Sequence, residues 1–338
     1  MWDWIPDSTP LLRALGQSAE RWQPHPGLAL DRSRLSTALV DGAGQAAPWL
    51  RHPCVSRLTR GEPATAYRDL VLALWTAAHT DADLGSVTIS TPVTIWTAGG
   101  DVELPAGRHE LCTVAETMKA VTPIAVSVDV WCTTTGLRSP GAYAIDDDLT
   151  VHEGLTRDLN HFVRIMHVVA TRLPELTHWL TSATKVVRPL VPVPGCSRST
   201  HYPDIAGLIE ADLSRGIAQT IELVTHETAH LHLRAAQADD PLVDPGDNGR
   251  YPSPLRPEPR PLVGILLAYH ALAYIAAALC DAAEGGLLDE TVEAYVRSDV
   301  EPKRDDARAV LDGAEGQLTD AGRRFLRQTH EVSDCVNI

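Results

Sequence analysis

The 338 residues predict an α+β fold, with a small antiparallel β region in the N-terminal half and a helix-rich C-terminal half. Short β-branched and aromatic runs bounded by glycine occur mostly in the first half of the chain. Apolar residues at helical spacing take over from Leu155 onward. The composition is globular, 44% hydrophobic and 22% charged without low-complexity tracts, which excludes a disordered or fibrous chain. At roughly 150 residues per domain the length suits two parts. These are read as a mixed α/β part over 1–148 and a mainly helical part over 149–338, which can also form one compact unit. Either way the core is large enough to fold without disulfides or a structural metal.

Tyr67 to His79, with Leu70, Leu72, Leu74 and Trp75, reads as an early helix. Val87 to Ser90 and Val93 to Thr97 read as strands, and Gly99-Gly100 punctuates them before Val102-Glu103-Leu104 in a hairpin-like arrangement. Ile124 to Trp131 alternates at period two and reads as a further strand. A polar turn region follows around Gly136 to Asp148. Leu155 to Thr181 is helical, with Pro174 expected to kink or divide it. Val186 to Val191 resembles an edge strand that tolerates its proline, and Gly207 to Asp212 reads as another short strand. Ile217 to Ala236 is a helix. A loop with seven prolines between Pro241 and Pro261 separates it from a long apolar helix. Three helical segments close the chain, with breaks expected near Gly285-Gly286, Pro302 and Gly313.

Lys plus Arg is 29 against 44 for Asp plus Glu, a net charge of −15 that repels phosphate backbones. No basic patch interleaved with aromatics offsets it, so nucleic acid is not an expected partner. The six cysteines are dispersed without a CxxC pair, the pattern of reduced thiols in a cytoplasmic protein. Met1 to Asp7 lacks a basic n-region and an apolar h-region, so no secretory signal is read there. Leu262 to Cys280 is an uncharged run of bilayer-crossing length. Its central His270 and two tyrosines, and its lack of polybasic flanks, read instead as the core helix of a globular fold, so no membrane association is expected.

The chemistry concentrates in Thr225-His226-Glu227-Thr228-Ala229-His230. Histidines at i and i+4 lie about 40° apart on a helix, so both imidazoles can reach one metal ion with Glu227 beside them. Ile217, Ile221 and Val224 bury the helix, so the histidines project into an enclosed space. His232 points about 200° away from His230 and is not expected to be a ligand. A third protein ligand is needed to hold the metal and leave positions open for reaction. The continuation HExxHxxGxxH requires glycine at 233, where Leu233 stands. Glu258 lies between Pro257 and Pro259, outside any helix. His270, an imidazole inside an apolar helix, is the candidate third ligand, because ligation offsets the cost of burying it. Zinc with one open position would make Glu227 the general base of a peptidase. Iron(II) with three open positions would admit a chelating 2-oxo acid and dioxygen. Motif geometry fits both, and a noncatalytic peptide-binding scaffold with a relic site is the third reading.

The stretch THETAHLHL, followed by the proline-rich loop and SPLRPEPRPLVGILLAYHALAYI, resembles the HExxH-motif peptide-modification family, the 2-oxoglutarate-dependent HExxH-type peptide β-hydroxylases of ribosomal peptide natural product (RiPP) pathways. The resemblance covers mainly Thr225 to Ile275. It implies iron(II) at His226, His230 and His270, 2-oxoglutarate and dioxygen as co-substrates, and a precursor peptide as the molecule hydroxylated. A 2-oxo acid dicarboxylate also calls for an arginine fork at its distal carboxylate. Arg260 is the first candidate, Arg256 the next, and Arg234 lies one turn after His230. On this reading Glu227 orients a ligand or a water. Zinc remains an alternative metal, with Glu227 as the base of a metallopeptidase.

Overall fold

The computed structural model describes Trp2, Arg34, Thr37, Ala73, Leu74, Ala77 and residues 84–89, 92–97, 100–121, 155–184, 186–203 and 206–336. Ala73, Leu74 and Ala77 are helical and buried. The rest of the expected helix at Tyr67 to His79, the expected strand at Ile124 to Trp131, the turn region after it and the boundary at 148 lie outside the described residues.

The N-terminal β region is two nested antiparallel pairs. β1 (Ser86–Ile89) pairs with β4 (Gly107–Glu110), and between them β2 (Val93–Thr97) pairs with β3 (Gly100–Leu104). β1 buries Val87 and Ile89 and exposes Thr88, the alternation of a strand with one face on a core. β4 went unread in the sequence because Gly107-Arg108-His109-Glu110 lacks β-branched residues. It pairs because its turn, with Gly107 at φ 144, brings it back onto β1. The chain then enters α1 (Leu111–Val121), anchored where the Leu111 amide donates to the Gly85 carbonyl at 3.0 Å.

The expected helix from Leu155 is two helices, α2 (Leu155–Arg172) and α3 (Pro174–Ala183). Pro174 occupies the first turn of α3, where its missing N–H has no helical carbonyl to lose. A three-stranded mixed sheet follows, in the order β5 (Val186–Pro189), β7 (Leu208–Ala211), β6 (Ser199–His201). β5 runs parallel and β6 antiparallel to the central β7, and Pro189 sits on an edge strand as its missing donor requires.

Two long helices carry the second half, α4 (Ile217–Asp239) and α5 (Leu262–Glu284). α5 is long and apolar enough to cross a membrane, yet 83% of its most apolar stretch is buried in the protein. Its alanines at 271, 273 and 276–278 keep the helix thin, so that α4 packs on one side and later helices on others. The breaks expected after it are only partly realised. α6 (Glu290–Tyr295) passes through a π turn (Val296–Val300) directly into α7 (Glu301–Gly313). Pro302 causes no break, because the Glu301 amide bonds five residues back to the Val296 carbonyl and the widened turn absorbs the donor that proline lacks. A short 3₁₀ turn (Glu315–Gln317) leads to α8 (Asp320–Cys335), which packs on α5 with Thr319 as its N-cap.

Candidate metal centre

The site forms where β6 and α4 meet. Asp212, just past β7, accepts hydrogen bonds from the Ser214 amide at 3.1 Å and from Arg215 Nε at 2.7 Å, which clamps the short link into α4. β6 lies on the sheet beside β7 and packs on α4. This pairing places Ser199 and His201 over the motif. On the opposite side of α4, Thr228 Oγ1 meets Thr184 Oγ1 at 2.7 Å, and Ile221, Val224 and Ala229 enter the core, which fixes the rotation of the helix.

His226 and His230 present their rings to each other with centroids 4.4 Å apart at a 74° angle. The His201 ring lies 4.7 Å from that of His230. Glu227 is only 3% exposed at its side chain, and both its oxygens are engaged. Oε1 accepts from Ser199 Oγ at 2.7 Å, and Oε2 accepts from His201 Nδ1 at 2.9 Å. His226 Nε2 stands 3.9 Å from Glu227 Oε1. Donor atoms of His201, Glu227 and His230 all lie within 4.8 Å of one another, a buried group that can hold a metal ion.

The electrostatics suit that role. Burial pushes the Glu227 carboxyl up, but the hydrogen bond from His201, the neighbouring imidazoles of His226 and His201 and the hydrogen bond from Ser199 outweigh it and hold the group below its usual range, as a carboxylate. Burial lowers His226 against the opposing pull of Glu227. Burial lowers His230 well below the usual histidine range, helped by His226, His201, His270 and Arg234. Both imidazoles are therefore neutral at physiological pH, and a metal needs them neutral. His230 Nδ1 and His201 Nε2 are buried polar atoms with no hydrogen-bond partner among the described residues, a cost that fits two imidazoles poised for a ligand rather than for packing.

His270 is 1% exposed on α5 and lies outside the 4.8 Å group of His201, Glu227 and His230. Its ring rests against Tyr274 and Phe325, its Nδ1 meets Thr329 Oγ1 at 3.0 Å, and burial takes its pKa down to about 3. His232 faces the other way, stacked on Trp179 with centroids 4.6 Å apart. Arg256 is exposed in the proline-rich loop. Arg260 exchanges both backbone hydrogen bonds with Tyr251, and its side chain lies along Gly264 at the start of α5. Of the three arginines considered, Arg234 is the one whose charge acts on His230.

His201 is the residue that motif reading missed. It lies on a three-residue strand upstream of the HExxH helix, and no fixed spacing connects them. Only the β6–β7 register places it there, so the one signal available was membership among 14 histidines. No family model matches the chain, and no curated protein matches it in sequence.

Proposed function

We propose that this chain is a non-haem iron(II)/2-oxoglutarate-dependent dioxygenase, an oxidoreductase that hydroxylates a side-chain carbon, at the β-position, of a ribosomally made precursor peptide. The observation that carries the reading is the buried group of two histidines and one carboxylate, His201, His230 and Glu227. Two histidines and a carboxylate on one face, with the remaining positions open, are the donor set of non-haem iron(II) oxygenases. His226 lies beside that set, and His226 and His270 are the imidazole donors that the family resemblance implies.

His201, Glu227 and His230 would hold the iron(II), and the chemistry it would supply is dioxygen reduction coupled to oxidative decarboxylation of 2-oxoglutarate, with carbon dioxide released, one oxygen atom ending in succinate and the other in the new peptide hydroxyl. The chain's own residues do the positioning. Ser199 and His201 fix the Glu227 carboxylate in one orientation. α5 packs against α4 with a buried, largely apolar surface. The distal carboxylate of the 2-oxo acid would take an arginine fork, with Arg260, Arg256 and Arg234 as the candidates.

The zinc metallopeptidase, with Glu227 as general base, is the alternative reading of the same HExxH helix, and Ser199 and His201 would orient the carboxylate in either case. Anaerobic loading with iron, addition of 2-oxoglutarate and precursor peptide, and then admission of air should give a peptide heavier by one oxygen atom and an equal amount of succinate. Peptide cleavage under the same conditions would reject the oxygenase reading.

A further inference from the structure

Thr329 on α8 and Phe325 one turn before it determine which nitrogen of His270 carries the proton. The Thr329 hydroxyl has one hydrogen, and it donates to the Phe325 carbonyl at 3.0 Å, an oxygen that can only accept. The same hydroxyl oxygen lies 3.0 Å from His270 Nδ1, so it accepts there and Nδ1 is the donor. Reversing the pair would leave two oxygen lone pairs facing each other at hydrogen-bond distance in a buried site. A neutral imidazole protonated at Nδ1 has its lone pair at Nε2. The Phe325 and Tyr274 rings, with centroids 4.6 and 4.7 Å from that of His270, restrict its rotation, so the hydroxyl also sets the ring angle.

We infer that Thr329 is a positioning residue that holds His270 as its Nδ1–H tautomer and so leaves at Nε2 the lone pair that its proposed ligation of a metal requires. This inference rests on the oxygenase reading for the metal, but the tautomer itself does not. Metal-bound histidines generally donate their other N–H to an oxygen, and loss of such an oxygen typically weakens metal affinity 10- to 100-fold. Here the oxygen is supplied by a threonine whose own proton is committed to the helix backbone, so it cannot act as donor toward the ring.

The test uses the full chain labelled with ¹⁵N-histidine, metal-free and at neutral pH, with the resonance identified by its loss in His270→Gln. The wild type and Thr329→Ser should show His270 protonated at Nδ1. Thr329→Val, which keeps the shape and removes the acceptor, should move the proton to Nε2 and weaken cobalt(II) binding by at least about tenfold, with Thr329→Ser restoring it. A wild-type His270 protonated at Nε2, or a Thr329→Val protein with wild-type tautomer and cobalt affinity, overturns the inference. A wild type that takes up no cobalt overturns the iron reading, and the metal-free tautomer still decides the role of Thr329.

Discussion

A buried charge has consequences set by its partners. Glu227 is ionised because hydrogen bonds from Ser199 and His201 and the neighbouring imidazoles outweigh its burial, whereas Glu222, five residues earlier on the same helix, has the opposite balance. Glu222 Oε1 accepts from Tyr295 Oη at 3.0 Å, but burial and the nearby Asp299 raise its pKa against the help of Tyr295 and Lys303. The folded carboxyl therefore holds its proton to a higher pH than the unfolded one. Its contribution is most favourable below the unfolded value, is lost as pH rises through the raised folded value, and leaves a constant cost above both. Glu222→Gln keeps an acceptor for Tyr295 and removes that cost. Its melting temperature should exceed that of the wild type at pH 7, by no more than about 1 kcal/mol of stability after solvent screening, and the gap should close as the pH approaches 4. A gap that widens on acidification would contradict the assigned direction.

Elements meet here through close backbone approaches as well as through side chains. The loop after α4 is stitched to the start of α8: the Thr319 amide donates to the Leu242 carbonyl at 3.1 Å, and Asp244 donates its amide to the Gln317 carbonyl at 2.8 Å. Gly322, in the first turn of α8, faces the same Leu242 carbonyl, and a Cβ placed there would lie 1.8 Å from its oxygen. Since both partners are backbone, Gly322→Ala forces α8 and the loop apart and should cost upwards of about 3 kcal/mol. Gly313→Ala at the end of α7 meets nothing within 4 Å and should be neutral or mildly stabilising. Urea unfolding of the two variants measures the contrast, and equal stability would show that the approach at Gly322 is not tight. Because α8 also carries Thr329 and Phe325, a displaced helix should loosen His270 as well.

Across the whole molecule, what the sequence revealed followed the range of the interaction. Periodicity over one helix was enough to find α4 and its two motif histidines, the apolar identity of α5 and the division at Pro174. Compensation by neighbours was not visible: the π turn that accommodates Pro302, and the return of β4 to β1. His201 was beyond any local pattern, since its place depends on a sheet register set by residues on either side of it. The same geometry separates function from packing among histidines of one helix. On the far side of α4, Ser182 Oγ donates to the Trp179 carbonyl at 2.7 Å, so His232 Nε2, at 3.2 Å from both oxygens, is itself the donor and has no lone pair to give there. Trp179 in turn stacks on Tyr274 with centroids 4.4 Å apart, and Trp2 closes the aromatic group. His232→Ala should lose about 2–3 kcal/mol with that stack. A metal that binds only the folded state raises stability by about 2.7 kcal/mol at a concentration one hundred times its dissociation constant. Cobalt(II) should therefore raise the melting temperature of His232→Ala by as much as it raises that of the wild type. His201→Ala, which removes a donor and unties Glu227, should respond to the same cobalt far less. If His201→Ala kept the full cobalt response and His232→Ala lost it, the metal would lie on the other face of the helix.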